Sequence, residues 1–224
     1  MDQEYPLVFE TLLAPTFLFR YSVPCLYRED LWSAKGVQLE EKYTLPWFGQ
    51  LEGKTRHGDL RVAWNEQGLA FTLRVSGKKT PPWCRDSRIE DSDGLQVWID
   101  TRNTQNIHRA GRFCHRFAIL PTGAGRNLGD PVISLLAINR AKESPREIDA
   151  TALKIRGEKR VDGYLLEAFI GADALTGYNP VEQASLGFTY LLTDRELGPQ
   201  TFSIGPEFPF DEDPSLWGTL ELTR

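Results

Sequence analysis

Residue types that build metal, redox and disulfide sites are scarce in this sequence. Its 224 residues include three cysteines, three histidines and one methionine. An odd and sparse set of cysteines is a poor disulfide framework, and no Cys/His spacing matches a zinc site. We therefore expect Cys25, Cys84 and Cys114 to be reduced, partly buried thiols with no disulfide among them.

Long apolar runs and clustered positive charge are missing as well. No stretch approaches the roughly 18 apolar residues of a membrane-spanning helix, and a net charge of -5 argues against a nucleic-acid partner. Residues 1–9 include acidic but no basic side chains, so the positive start of a secretory signal is missing. We expect a cytoplasmic protein, or a secreted one if a leader is missing from this sequence, with no membrane or nucleic-acid partner.

An apolar alternation with a period of two is present along most of the chain, and it is typical of β-strands. The clearest example is a predicted hairpin over residues 59–76, whose turn contains Gly68. The other predicted strands are residues 16–21, 94–100, 113–120 (ended by Pro121), 131–138, 150–155, 164–170, 186–192 and 217–223. Residues 29–34 and 172–176 are predicted to be short helices.

About ten short strands without long helices between them predict an all-β fold. We expect an antiparallel β-sandwich of immunoglobulin or jelly-roll type, with residues 1–224 as a single domain because no linker is visible. The inner residues of these strands should be buried: Leu95, Val97, Ile99, Tyr164, Leu166, Ala168, Phe188, Tyr190 and Leu192.

Motifs for catalysis are also missing, so we do not expect an enzyme. There is no G-x-S-x-G sequence. Two histidines, His57 and His108, lie in predicted loops, and His115 lies on the inner face of its strand, where it is expected to be satisfied internally. The glycine-rich residues 123–129 lack the lysine of a phosphate-binding loop, which predicts a surface loop.

Two acidic runs, residues 90–93 and 211–213, allow three interpretations. They are solvated turns, sources of oxygen ligands for calcium, or paired carboxylates of a glycosidase, and the first two interpretations are favoured. The calcium hypothesis assigns Asp91, Asp93 and Asp213 as ligands.

Several aromatic residues are predicted to lie outside the core. Trp98 shares a strand face with Gln96, opposite the inner residues, so both should point outward. Trp83 follows two prolines in a loop, and Phe210 follows Pro209 in another. Exposed rings can stack on sugars, but rings at these positions could equally cap the ends of a sandwich.

Five segments of the sequence carry a resemblance to a known family. They are VAWNEQGLAFTLRV (62–75), DSDGLQVWIDTRN (91–103), DGYLLEAFIGADAL (162–175), LGFTYLLTD (186–194) and DPSLWGTLEL (213–222). In this order they resemble family 9 carbohydrate-binding modules, within the wider DOMON-like sandwiches, over residues 55–224.

The resemblance implies a non-catalytic module that often holds calcium and clamps a glucan or xylan end between two tryptophans on its concave face. It assigns a saccharide site to Trp83, Gln96, Trp98, Arg116 and Phe210. Some positions depart from the family pattern. Gln96 replaces a carboxylate, Leu191 replaces a polar amide, and Ala118 replaces an arginine, although Arg116 lies on the same strand face.

The same fold used for protein interaction or another ligand is the alternative, and Leu191 favours it. A haem-binding DOMON domain would need a Met/His axial pair, and Met1 is the only methionine.

Overall fold

The computed structural model describes Phe17 and residues 19–224, and most of their regular structure is β-strand. The strands are β1 (Ser22–Tyr27), β2 (Gly58–Asn65), β3 (Gly68–Ser76), β4 (Gly94–Asp100), β5 (Cys114–Ala124), β6 (Asp130–Leu136), β7 (Leu153–Arg160), β8 (Gly163–Gly171), β9 (Ser185–Thr193), β10 (Gln200–Thr201) and β11 (Gly218–Thr223). Short 3-10 helices span Glu41–Tyr43, Phe48–Glu52, Asp86–Asp91, Ala150–Ala152, Ala172–Ala174 and Pro214–Leu216. Within the described residues, no helix is long and apolar enough to cross a membrane.

The strands form two facing layers that are connected through β1. Their hydrogen-bonded order is β6-β5-β4-β9-β11-β1-β2-β3-β8-β7, and β10 pairs with β9. All pairings are antiparallel except those of β1, which runs parallel to both β11 and β2. The rings of Phe71 on β3 and Phe188 on β9 stack with centroids 6.5 Å apart, so the two halves pack face to face. The predicted all-β sandwich is confirmed, with β1 as a parallel addition.

The main core lies between these two layers. All nine residues predicted to be buried are buried there. Strand alternation explains this result, since every second side chain of a strand points to the same face. Each large apolar side chain that is fully buried in this way contributes about 1.5–3 kcal/mol to stability.

The predicted hairpin of β2 and β3 is confirmed, and its turn depends on a glycine. Gly68 has a φ of 144°, a backbone conformation that other residues rarely adopt. A Cβ atom at this position would also collide with the carbonyl oxygen of Ile170 on the neighbouring strand.

Several predicted elements differ from the structure in type or extent, including the strand predicted over residues 150–155, which begins at Leu153. β5 continues through Pro121 to Ala124, because an irregularity in its pairing with β6 after Leu120 accommodates a residue without an N–H group. Residues 29–34 form no helix and lead into a bridge between Ser33 and Gly36. The helix predicted over residues 172–176 is a single 3-10 turn, Ala172–Ala174.

The first strand lies further along the chain than predicted. Residues 16 and 18 of the predicted strand over 16–21 are outside the described residues, and residues 19–21 are not strand. The observed strand is β1, which buries only Val23 and Cys25 on its inner face. Such a short alternation, interrupted by Pro24, is a weak sequence signal.

Candidate functional site

The outer faces of β4, β5 and β9 bring together three of the residues predicted to bind a ligand. Gln96 is paired with Ala118 on β5 and with Leu191 on β9, and Trp98 is paired with Arg116. Paired residues on adjacent strands point to the same side of a sheet. These side chains therefore share the face opposite the main core, as the sequence predicted.

Arg116 is the best-oriented polar group on this face. Its Nε and Nη2 atoms donate hydrogen bonds of 3.0 and 2.7 Å to Oε1 of Gln96. Its Nη1 atom lies 2.7 Å from Oε1 of Glu90, and its guanidinium carbon lies 5.3 Å from the ring centroid of Trp98. A guanidinium with several partners loses little further conformational entropy when it binds a ligand.

Trp98 is not the exposed ring that the sequence predicted. Its exposed fraction is 1%, and its Nε1 donates a 3.1 Å hydrogen bond to the carbonyl oxygen of Asp211. It belongs to a second apolar cluster outside the sheet, which we call the outer cluster: Trp98, Ala110, Cys114, Ile138, Phe210 and Trp217. Loop residues cover this part of the face, so Trp98 cannot stack on a sugar without local rearrangement.

Phe210 requires the same correction. It is buried, and its ring packs edge-on against Trp98 with centroids 5.6 Å apart and planes at 77°. Its main-chain carbonyl accepts a hydrogen bond from Nε1 of Trp217. Phe210 therefore closes the outer cluster and presents no free ring face to a ligand.

The accessible part of the outer face is a small patch beside the outer cluster. We call it the outer patch and define it by four partly exposed side chains above buried Gln96 and Ala118: Arg116, Ser134, Leu136 and Leu191. Ser134 is paired with Ala118, and Leu136 is paired with Arg116, so β6 contributes to the same surface. The sequence analysis did not identify Ser134, Leu136 or Glu90 as site residues. Alternation along β6 could have suggested the first two.

Trp83, the other predicted clamping ring, is partly exposed but already in contact with arginines. The guanidinium carbon of Arg195 lies 3.6 Å from the Trp83 ring centroid, and those of Arg85 and Arg88 lie 5.4 and 5.8 Å away. We call the first of these contacts the Trp83–Arg195 stack. No sequence signal near Trp83 indicated that Arg195, more than 100 residues later, would meet it.

A buried charge cluster lies next to this stack. The side chain of Lys78 is only 1% exposed, and its Nζ lies 2.6 Å from Oδ2 of Asp194 and 3.5 Å from Oδ2 of Asp93. Both carboxylates are also buried, and Glu196 lies 3.9 Å from the same ammonium group. Buried charges are tolerated when they are paired and hydrogen-bonded, so this cluster is a structural ion-pair network.

The three predicted calcium ligands do not come together. Asp93 belongs to the Lys78 cluster, and Asp91 pairs with Arg88 at 2.8 Å on the surface. Asp213 accepts a hydrogen bond from the main-chain N–H of Ser215. Within the described residues, no group of three or more His, Cys, Asp or Glu side chains is placed to hold a metal ion. These carboxylates do not fit a shared calcium site.

A Ser-His-Asp contact does occur on the surface, but it lacks relay geometry. Nδ1 of His108 lies 3.1 Å from both Asp213 Oδ2 and Ser215 Oγ. In a catalytic triad the acid and the nucleophile contact different ring nitrogens, so that a proton can pass through the ring. Both contacts here use the same nitrogen, and the arrangement cannot relay a proton.

The three cysteines and His115 are buried groups rather than exposed nucleophiles or bases. All three cysteines are free, as predicted, but they are fully rather than partly buried. Burial raises the pKa of Cys114 to about 12. Nε2 of His115 accepts a 2.8 Å hydrogen bond from the main-chain N–H of Thr176. Burial lowers the pKa of His115 to about 4, so the ring is neutral at neutral pH. The expectation that this histidine is satisfied internally is met at Nε2 only, because its buried Nδ1 has no hydrogen-bond partner among the described residues.

Comparison with known proteins supports the fold. No protein-family model matches the sequence, and no curated protein matches it significantly. Two structures of a family 9 carbohydrate-binding module from Caldicellulosiruptor kristjanssonii, one with cellotriose and one with glucose, are similar. Each has a TM-score of 0.60. The cellotriose complex is 12% identical in sequence, and the match covers 91% of this chain and 94% of that one. The glucose complex is 13% identical, and the match covers 90% of this chain and 95% of that one.

A protein from Bacteroides uniformis, proposed to be carbohydrate-binding, is also similar, with a TM-score of 0.54 and 12% identity. The match covers 90% of this chain and 98% of that protein. Each of these likenesses covers about nine tenths of this chain. The chain therefore has the fold of the family 9 carbohydrate-binding modules.

Proposed function

We propose that this protein is a non-catalytic module that binds a saccharide of the glucan or xylan type on the outer patch. The observation that carries the proposal is Arg116, a cation held by Gln96 and Glu90 on an accessible sheet face. The similar Caldicellulosiruptor module was solved with cellotriose and with glucose, which supports a sugar as the ligand class.

The composition of the outer patch suits a sugar ring. Small-ligand sites combine apolar lining with a few well-placed polar groups. Here Leu136 and Leu191 supply apolar surface for the C–H face of a pyranose, while Arg116 and Ser134 supply groups that hydrogen-bond to hydroxyls. The buried Trp98 contributes from below by supporting the Arg116 guanidinium.

Isothermal titration calorimetry with cellotriose and glucose tests this proposal. We expect Arg116→Ala to weaken binding at least about tenfold, which corresponds to about 1.4 kcal/mol. Arg126→Ala is the matched control, because Arg126 is an exposed arginine in the turn between β5 and β6. Thermal unfolding of both variants checks that the fold is retained. Absence of binding by the wild-type protein to glucans, xylans and simple sugars would contradict the proposal.

A protein-interaction role is the second candidate, and β6 favours it. This strand ends the strand order, so one of its edges has no strand partner among the described residues. Residues 131–136 carry no charge, and an uncharged edge can accept a strand from another protein. A stable complex that Val132→Lys disrupts, in a protein that binds no saccharide, would support this role.

A further inference from the structure

The Trp83–Arg195 stack presents a positive group in a fixed orientation. A guanidinium that stacks on a ring keeps its N–H groups in its own plane, where they remain available to an acceptor. Arg195 uses Nη2 for a 3.3 Å hydrogen bond to the carbonyl oxygen of Asp91. The other N–H groups of its guanidinium have no hydrogen-bond partner within the described residues, and Arg195 is exposed.

The main chain on both sides of the stack is held by one buried carboxylate. Oδ2 of Asp93 accepts the N–H of Trp83, and Oδ1 accepts the N–H of Arg195, each at 3.0 Å. Lys78 in turn neutralises Asp93 from the inside. The ring and the guanidinium are therefore preorganised by the Lys78 cluster, and ordering them costs little when a ligand binds.

Some of the arginines around Trp83 are paired with carboxylates and others are not. Arg88 is matched by Asp91 and Arg116 by Glu90, at 2.8 and 2.7 Å. In contrast, Arg195 forms no ion pair within the described residues.

Arg85 likewise forms no ion pair within the described residues. Its Nη1 donates to the carbonyl oxygen of Cys84, its guanidinium faces the same Trp83 ring, and it has no carboxylate partner in the described part of the chain. Arg85 and Arg195 thus present two unmatched cations on a protein whose net charge is -5.

This cationic corner lies at the end of the outer patch. The 3-10 helix Asp86–Asp91 connects the two, because its Glu90 contacts Arg116 of the patch. Arg195 follows β9 by two residues, and β9 carries Leu191 of the patch. A sugar chain lying on the patch and directed toward the start of β4 would therefore place one of its residues against Arg195.

We propose that the Trp83–Arg195 corner binds the carboxylate of an acidic sugar residue, so that the saccharide recognised is a uronic-acid-containing one. This inference rests on the proposed function and names its ligand class. A planar guanidinium matches a planar carboxylate through two parallel hydrogen bonds, and charge-assisted bonds of this kind are stronger than those to a neutral hydroxyl.

Calorimetric titration with glucuronic acid and glucose tests this inference, because the two sugars differ only in the carboxylate at C6. We expect the wild-type protein to bind glucuronic acid about tenfold more tightly, a preference that added salt reduces. Arg195→Gln should abolish the preference while retaining glucose binding. Arg126→Gln, the matched exposed arginine, should retain both the preference and the affinity.

The outcomes separate this inference from the proposed function. Equal affinity for glucuronic acid and glucose would overturn the inference and leave the saccharide module standing. Binding of neither sugar would contradict the proposed function itself. Glucose 6-sulfate provides a third arm, and binding of this sugar as tight as that of glucuronic acid would overturn the carboxylate assignment in favour of anionic sugars in general.

Discussion

The two faces of β4 are equally buried, but different interactions bury them. The inner face, formed by Leu95, Val97 and Ile99, packs into an apolar core between two sheets. The outer face, formed by Gln96, Trp98 and Asp100, is also no more than 4% exposed. Its side chains are polar or amphipathic, and each has a specific partner. Asp100, for example, accepts hydrogen bonds from the main-chain N–H groups of the next turn.

This difference shows what strand alternation does and does not determine. Alternation assigns each side chain to one face of a sheet, and it assigned Trp98 correctly to the face opposite the core. Whether that face contacts water depends on what covers it. Here loop residues that lie more than a hundred positions after β4, including Phe210 and Trp217, cover it.

Lys78 is a buried charged residue with specific partners, and removing its charge should have the largest effect. In Lys78→Met the carboxylates of Asp93 and Asp194 stay buried without a cation, and we expect a loss of about 5 kcal/mol in the free energy of unfolding. Chemical denaturation measures this loss. Exposed Lys79→Met is the matched control and should change stability by less than about 0.5 kcal/mol. Similar values for the two variants would show that the Lys78 cluster does not stabilise the fold.

The second prediction compares the two faces of the sheet directly. Trp98→Ala on the outer face and Phe117→Ala on the inner face should each cost about 4 kcal/mol, because both side chains are fully buried. Urea denaturation of both variants measures the two losses. If Trp98→Ala cost less than about 0.5 kcal/mol, the value typical of an exposed residue, the outer cluster would not be a second core.

The smallest effect concerns His115, a polar residue on the inner face. Its pKa is about 4 in the folded protein and 6.5 when unfolded, because burial disfavours the charged ring. The unfolded state therefore binds more protons below pH 6.5, and stability should fall by about 3 kcal/mol in total as the pH decreases from about 6.5 to 4.

Denaturation curves at pH 7 and pH 4 measure this contribution. His115→Gln, which keeps an acceptor for the N–H of Thr176, should reduce the difference between the two pH values. An unchanged pH dependence in His115→Gln would contradict the prediction.

The sequence by itself determined the sandwich, most of its strands and the residues of its main core. This was possible because alternation and turn residues are local signals, as in the β2–β3 hairpin with Gly68. It also placed Gln96, Trp98 and Arg116 on one face, since that inference needs only the strand register of β4 and β5.

Only the tertiary structure decided which of these residues meet water and which partners they have. Lys78 pairs with Asp194, to which the sequence assigned no role, and with Asp93, which the calcium hypothesis assigned as a ligand. Arg195 stacks on Trp83, which lies 112 positions earlier in the chain. Trp98 and Phe210, which are also distant in sequence, bury one another. These contacts join segments that are distant in sequence, so no local periodicity encodes them. The chain acquires them only when the two sheets and their loops have packed together.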